Sequence, residues 1–306
     1  MMKNKVSVVL PAKGNCPYLI ETLKSIEAGT LLPYEVLIVD DGISETVLND
    51  IDNRFSQCNL KIIKNFGSGL VDALNTGLRL ASGDLIARID SDDLFTPYRL
   101  EIQIEFMRSN PEIVALGTNC IYINENGELT GFSNYPVGRL NDLRDFPKKC
   151  LLAHPSTIYS KEVSLEINGY RSIFRWNNVD IAEDFDFWLR MASKGLVKNM
   201  SEFLTKYRQH SKQLSSTNNF GQLLGTIYIS VVNKAKDTNP PIINISTTDN
   251  SDMKKLIKYV LKNGGTLYTS VLLIRVLQFR FGKNPFMGKL INRICNRFCF
   301  YVINYI

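Results

Sequence analysis

Three carboxylates fall within four residues, Asp90, Asp92 and Asp93, in the stretch LIARIDSDDLFTPYR from Leu85 to Arg99. They follow directly on an apolar run, where like charges repel and hydration is lost, so the set needs a positive partner. Hard oxygen ligands suit Mg²⁺ or Mn²⁺, and Mg²⁺ is commonly held by one or two carboxylates together with substrate phosphates. The competing account is a helix start. Asp93 and Thr96 stand just ahead of Pro97, where acids favour the helix dipole. That account accommodates one acid but not three. An EF-hand loop would take Asp90, Asp92 and Glu101 as its first, third and twelfth positions, yet its sixth, which must be Gly, is Phe95. A divalent cation with a phosphate-bearing ligand uses all three acids.

Two further acid pairs stand beside apolar sequence. Asp40 and Asp41 close the run EVLIVDDG. They fit a turn with Gly42, a phosphoryl-accepting pocket, or recognition of a ribose hydroxyl or a base N–H. Glu183 and Asp184 open a helical segment in AEDFDFWLR. A single such acid is explained by the helix dipole. Here Phe185, Phe187 and Trp188 adjoin the pair, and an environment that excludes water raises a carboxyl pKa toward that of a general base. The two histidines, His154 in LAHPS and His210 in YRQH, lie in polar loops beside Pro or Arg. A structural and a functional role both fit them. The chain has neither a P-loop nor a GxGxxG motif, and NFGSGL is only a loop with two glycines.

The elements that must carry these groups alternate. VSVVL, EVLIVDDG, LKIIKN and DLIARID read as buried strands. Between them Leu19, Leu23 and Ile26 mark one helix face, with Gly29 past its end, and Leu70, Leu74, Leu78 and Ala81 mark another, stopped by Gly83. Pro97 opens a further helix through Met107. Continuous apolar strands alternating with amphipathic helices predict a parallel sheet covered on both faces. Ligands bind such sheets beyond the carboxyl ends of the strands. LPAKG, VDDG and IDSDD are three of those ends, so the polar chemistry collects on one edge. From Ile113 the pattern changes to strand-like segments with polar turns, a helix near Leu140–Leu152, and the helix that ends at Gly195. TKYRQHSKQLSST and the polar stretch to Asp252, with Pro240 and Pro241, read as loop and linker.

Composition bounds the class. A chain of 306 residues, 44% hydrophobic and 22% charged, is globular and long enough for one large domain or two modest ones. Ten of its 36 Lys and Arg lie between Met253 and Ile306, a segment without Asp or Glu, which leaves the remainder mildly acidic. A basic, aromatic tail suits an anionic partner. Six cysteines without a CxxC pair read as ordinary thiols of a reducing compartment. The N-terminal apolar run is short and meets Pro11, as a first strand does and a secretory signal does not. No stretch reaches the ~18 apolar residues of a membrane span.

Taken in order, VVLPAKG, IVDDG, GLVDALNTGL, ARIDSDD with Pro97, Arg99 and Gln103 behind it, and EDFDFWLR resemble family 2 of the inverting glycosyltransferases, of the GT-A fold. The resemblance covers roughly Val6 to Ser215, and the combination is specific although no single motif is. It implies an α/β fold with a Rossmann-like, mostly parallel sheet and flanking helices, followed by a C-terminal helical tail. The domains would be a catalytic domain over 1–215, a polar linker over 216–252 and a basic amphipathic tail over 253–306. It implies a nucleotide-sugar donor, usually UDP-linked, held by a divalent metal. Asp41 then matches the nucleoside contact, Asp90 and Asp92 the ends of the DxD motif with Asp92 the direct metal ligand, and Asp184 the catalytic base. Pro11, Ala12, Arg88 and Ser91 fall on the donor side. Glu183, His154, Arg208 and His210 are candidate contacts to acceptor or donor. Relatives read A.RN.G where this chain has DALNTG, so no phosphate role passes to Leu74.

The IARIDSDD, HPS and YRQH variants resemble bacterial enzymes that build O-antigen, capsule or other surface polysaccharides. That implies transfer of a hexose to a saccharide on undecaprenyl diphosphate, by a cytoplasmic protein peripheral to the inner face of the membrane. Read as a helix from Met287, the tail puts Leu290, Ile291, Ile294 and Phe298 on one face and Lys289, Arg293 and Arg297 on another. This suits an anionic lipid surface; a helix packed on the catalytic domain is the alternative. No nucleic-acid module accompanies the basic stretch. Two rival classes stay open: a nucleotidyltransferase, for which PAKGNCPY is a poor triphosphate loop, and a nucleotide-sugar-binding subunit without catalysis, against which DSDD and ED argue.

Overall fold

The structure, a computed structural model, describes residues 5–52, 59–139, 150–211, 213, 219–246 and 251–265. Strand β1 (Val6–Gly14) leads to α1 (Leu19–Glu27), β2 (Glu35–Ile43), α2 (Glu45–Asp52) and β3 (Leu60–Lys64). Helix α3 (Leu70–Leu80), β4 (Leu85–Arg88), the two-residue β5 (Leu94–Phe95) and α4 (Arg99–Ser109) follow. Next come β6 (Ile113–Ile123), β7 (Leu129–Phe132), β8 (Gly138–Arg139), a 3₁₀ turn at His154–Ser156, β9 (Ile158–Ser160) and α5 (Lys161–Glu166). Strands β10 (Phe174–Trp176) and β11 (Val179–Asp180) precede α6 (Glu183–Ala192) and β12 (Leu196–Arg208). The described chain closes with α7 (Asn219–Lys234), β13 (Ile243–Ile245) and α8 (Ser251–Asn263).

The chain divides into two compact units, Met1–Arg171 with Glu183–Thr217, and Ser172–Ala182 with Asn218–Ile306. The first holds a large mixed sheet in the order β3-β2-β1-β4-β9-β6-β12-β5, with β7 beside β6 and β8 beside β12. Strands β3, β2, β1 and β4 are parallel, as the apolar runs of β1, β2 and β4 predict, whereas β3, expected as buried, lies at the sheet edge with half-buried and exposed side chains. Beyond them β9 lies antiparallel to both β4 and β6, while β6 and β12 pair in parallel. Strand β1 has β2 on one side and β4 on the other, so the order reverses there and opens a crevice at the strand ends. Val6, Val8 and Leu10 share a core with Leu19, Leu23 and Ile26 of α1 and Leu100, Ile104 and Met107 of α4. Val9 lies on the opposite face, beneath Gly77 of α3.

Two expectations need correction. Residues 216–252 are not a polar linker throughout, because α7 and β13 form within them. Leu224, Ile227, Tyr228, Val231 and Val232 recur at helical spacing and are buried. The TKYR part of the expected loop is also strand, the last residues of β12. It alternates exposed and buried side chains too weakly to read as one. In the second unit β11, β10 and β13 form a small sheet, and α7 packs on β10 with Gly225 against Phe174 and Gly221 against Trp176. The helix expected near Leu140–Leu152 falls mostly outside the described residues, as does the tail beyond residue 265. Among the described residues no helix is long and apolar enough to cross a membrane.

The approach of α3 to the sheet sets a strict volume limit. A Cβ on Gly77 would stand 2.5 Å from Cγ1 of Val9 and 3.2 Å from Cγ2 of Val39. Overpacking costs up to about 3 kcal/mol, against roughly 1 kcal/mol gained from Ala over Gly in a helix. Gly77→Ala should therefore be destabilised by about 1–2 kcal/mol, measured as a lower urea midpoint at unchanged slope.

Candidate active site

The crevice beyond β1 and β2 separates the roles of the first acid pair. Asp40 Oδ1 accepts the backbone N–H groups of Gly42 and Ile43, both at 2.7 Å, and Oδ2 accepts Lys64 Nζ at 3.0 Å. It fastens the turn. Asp41 instead crosses to the loop ahead of α3, accepting Asn65 Nδ2 at 2.8 Å, Gly69 N at 3.0 Å and Lys13 Nζ at 3.0 Å. Burial pushes its carboxyl pKa up, but Lys13, Asn65 and Gly69 outweigh that and hold it below the usual range. A charged acceptor thus faces the strand ends, with Pro11 half-buried and Ala12 buried on β1 beside it.

The three acids after β4 meet different partners. Oxygens of Asp90, Asp92 and Asp93 all lie within 4.8 Å of one another. Arg88, 3% exposed, places both terminal nitrogens on the Asp90 carboxylate. Burial opposes its charge, and Asp90 more than offsets this. Asp93 is fully buried, and its Oδ1 accepts the backbone N–H of Arg208 at 2.8 Å. It does not cap α4, whose N-cap is Tyr98 without a side-chain cap bond, so the helix-start account fails. Asp92 remains one-quarter exposed, with Oδ2 2.9 Å from His210 Nε2. Burial, together with Asp92 and Asp184 and against Arg88, lifts the Asp90 pKa to about 6. Burial and then Asp92 and Asp90 raise that of Asp93 well above its ordinary value. Half-buried Ser91 lies near Cys16, whose thiol donates to the Lys13 carbonyl at 3.1 Å.

Arg208 fixes this turn from β12. Its side chain is wholly enclosed: Nε donates to the Asp92 carbonyl at 2.9 Å, Nη1 to the Glu125 carbonyl at 3.0 Å and Nη2 to Glu21 Oε2 at 2.7 Å. The guanidinium also lies 4.2 Å over the Tyr18 ring. These contacts describe a clamp on the acidic turn. His210, two residues on, reaches Asp92 from the same strand end.

Helix α6 brings in the last pair. Asp184 Oδ1 accepts the N–H of Phe185 at 2.7 Å, and Oδ2 stands 3.5 Å from Cys150 Sγ. Burial raises its pKa, opposed by the Phe185 N–H, Arg88 and Cys150. Arg88 is bonded to Asp90 and acts on Asp184 only through its charge. Glu183 Oε1 is 3.9 Å from His154 Nδ1, beyond hydrogen-bond reach. His154 is buried, bonds Tyr170 through Nε2 at 2.9 Å and meets the Trp188 ring edge-on. It packs beneath α6 and does not touch the acidic turn directly. Asp186, absent from the sequence-based candidates, accepts from both Arg171 and Arg190 and locks the helix. Its spacing to Arg190, four residues, was the available signal. Cys150 and the buried Arg99, which donates to the carbonyls of Arg88 and Thr157, had no comparable signal.

Comparison with known proteins places the chain in a family. The profile of Glycosyl transferase family 2 matches residues 7–167. The chain belongs to that family. The O-antigen biosynthesis glycosyltransferase WbnJ of Escherichia coli is 32% identical over 218 residues, covering 68% of this chain and 80% of WbnJ. The amylovoran biosynthesis glycosyltransferase AmsE of Erwinia amylovora is 30% identical over 201 residues, 64% of this chain and 72% of AmsE. Among solved structures, the 1–349 part of S. aureus TarS in complex with UDP-GlcNAc superposes with a TM-score of 0.61 at 17% identity, covering 92% of this chain and 82% of that one. That likeness shows the GT-A fold. As a family 2 member the protein is a glycosyltransferase.

Burial holds the His154 pKa well below its ordinary value, with Arg88 adding to the effect, so the folded protein keeps this ring neutral. The unfolded chain takes up the proton below about pH 6.5, and stability should fall as pH drops through that value. The slope attributable to His154 is about 1.4 kcal/mol per pH unit. His154→Gln should remove that part of the slope between pH 6.5 and 5, read from urea unfolding of the two proteins across the range.

Proposed function

We propose that the protein is a metal-dependent, inverting hexosyltransferase that uses a UDP-linked sugar and extends a lipid-diphosphate-linked saccharide in bacterial surface-polysaccharide synthesis. The observation that carries the reading is the cluster of Asp90, Asp92 and Asp93 oxygens within 4.8 Å of one another at a strand end, with the half-buried Asp184 carboxyl at a helix start in electrostatic range of Arg88 and Asp90. Donor and acceptor chemistry need those two groups side by side. The names of WbnJ and AmsE support surface-polysaccharide synthesis, and the UDP-GlcNAc complex of TarS supports a nucleotide-sugar donor.

The donor set fits a divalent cation. Asp92 offers a partly exposed carboxylate with His210 beside it, and the Asp90 oxygens lie within reach. Asp92, with Asp90 and His210, would hold the ion, which supplies charge neutralisation to the departing nucleoside diphosphate. Asp41 receives a nucleoside N–H or hydroxyl at the end of β2. Arg88 and Arg208 keep the acidic turn in one shape, so little reorganisation is needed when the donor enters. Asp184 Oδ2 takes the proton of an acceptor hydroxyl. The acceptor oxygen then bonds the anomeric carbon as the carbon–oxygen bond to the diphosphate breaks on the opposite face. The configuration inverts.

Paired variants separate the two halves of the site. Asp184→Asn should leave UDP-sugar affinity unchanged and lower kcat by roughly 10²–10⁴-fold. Asp92→Asn should lose metal-supported donor binding, as EDTA should in the unmutated protein, with Mn²⁺ restoring the latter. Full turnover in EDTA excludes the metal role, and loss of donor affinity in Asp184→Asn excludes the base. NMR of the product decides inversion from the anomeric configuration.

The tail completes the proposal as a peripheral anchor on the cytoplasmic face of the membrane. Its described beginning, α8, already carries Lys254, Lys255, Lys258 and Lys262 around buried Leu256 and Val260. Deleting the residues after Gly282 should abolish flotation with liposomes containing anionic lipid while donor hydrolysis persists. Equal flotation of the two proteins would remove the tail from the mechanism.

A further inference from the structure

The two oxygens of Asp184 are served unequally. Oδ1 takes a 2.7 Å bond from the backbone of Phe185, a fixed strong donor. Oδ2 has the Cys150 thiol at 3.5 Å. That thiol has a second acceptor, the Leu152 carbonyl at 3.3 Å, and a thiol carries one hydrogen. Burial, with Asp184 next in effect, pushes the Cys150 pKa well above its ordinary value, so the sulfur keeps its proton. A weak, rotatable donor therefore faces the one carboxylate oxygen that the backbone leaves free.

We propose that Cys150 is a positioning residue for Asp184: its S–H points to Oδ2 while the carboxylate is charged and swings to the Leu152 carbonyl once Oδ2 has taken the acceptor's proton. This rests on Asp184 being the base. The thiol gives up no proton in the cycle. It holds the side-chain rotamer with Oδ2 toward the acceptor and withdraws when that oxygen becomes a donor. A stronger fixed donor at Oδ2 would compete with the substrate proton, and no donor would leave the rotamer to solvent. The groups that act on Asp184 from surrounding elements are the Phe185 N–H, Arg88, Asp90 and the thiol.

The test uses the full-length protein with donor and acceptor and compares Cys150→Ala, Cys150→Ser and Asp184→Asn. Cys150→Ala should lower kcat about fivefold to tenfold, the scale of one lost hydrogen bond, with donor KM unchanged. Its acidic limb in kcat against pH should move to higher pH, because a donor that favoured the charged form is gone. Cys150→Ser, which keeps a rotatable donor, should recover most of the rate. Unchanged kcat and pH profile in a Cys150→Ala protein, with Asp184→Asn inactive, would overturn the thiol's role and leave the base in place. Equal losses in Cys150→Ala and Cys150→Ser, with donor KM raised, would make the residue structural and also overturn it. An active Asp184→Asn would instead remove the base reading on which the inference stands.

Discussion

Asp90, Asp92 and Asp93 crowd together at the end of an apolar strand, and Asp184 at the start of α6 stands within electrostatic reach of Asp90. The cost of that crowding governs the rest of the site. Desolvated like charges cannot all ionise without fixed positive charge nearby. The fold supplies buried guanidiniums whose position is not negotiable. Arg88 forks onto Asp90 and acts on Asp184. Arg208 holds the backbone of the acidic turn and gives its own N–H to Asp93. Arg99 grips the Arg88 carbonyl from below; burial brings its pKa down to about 9, still above neutrality. Removing Arg88 would leave the Asp90 carboxylate without its ion pair, which costs more than the pair itself contributes.

The sheet makes those positions available. The reversal of strand order at β1 opens a crevice where β2 delivers Asp41 and β4 delivers Asp90. The antiparallel β9 carries the chain back from β4 to β6, and the parallel β6–β12 pair returns Arg208 and His210 to the same edge. Helix α6 enters from behind with a wall of rings, Tyr170 stacked on Phe187 at 4.0 Å and Trp188 against Tyr159. The carboxyls of the acidic turn thus stand in different surroundings, Asp93 enclosed and Asp92 one-quarter exposed.

What was legible in the chain was local. Unbroken runs such as EVLIV and the repeat of Leu19, Leu23 and Ile26 specify β2 and α1 because burial on two faces, or one, imposes those periods. The acids at the strand ends were legible because they contradict the apolar run that precedes them. The partners of those acids were not. Arg208 meets Glu21 across 187 positions and Asn124 across 84, and nothing beside it in YRQH announces either contact. Cys150 reaches Asp184 across 34 positions. Helix α7 was read over because its flanks are polar, and packing inside its own unit, not the flanks, decides its conformation.

Adjacent acids also diverge for a reason that sequence spacing alone contains. Neighbouring side chains cannot share a direction on a strand end or a helix start, so each close pair must divide its duties. Asp40 turns back to fasten Gly42 and Ile43, and Asp41 crosses to the α3 loop. Asp93 points inward to the Arg208 backbone, and Asp92 stays one-quarter exposed beside His210. Asp186 is consumed by Arg171 and Arg190, and Asp184 is left with a backbone N–H and a thiol. Asp186 is held by two guanidiniums, whereas Asp93 takes one backbone donor and leaves Oδ2 buried without a hydrogen-bond partner among the described residues. The density in aspartate thus resolves into a division of contacts along short stretches, each carboxylate meeting a different partner.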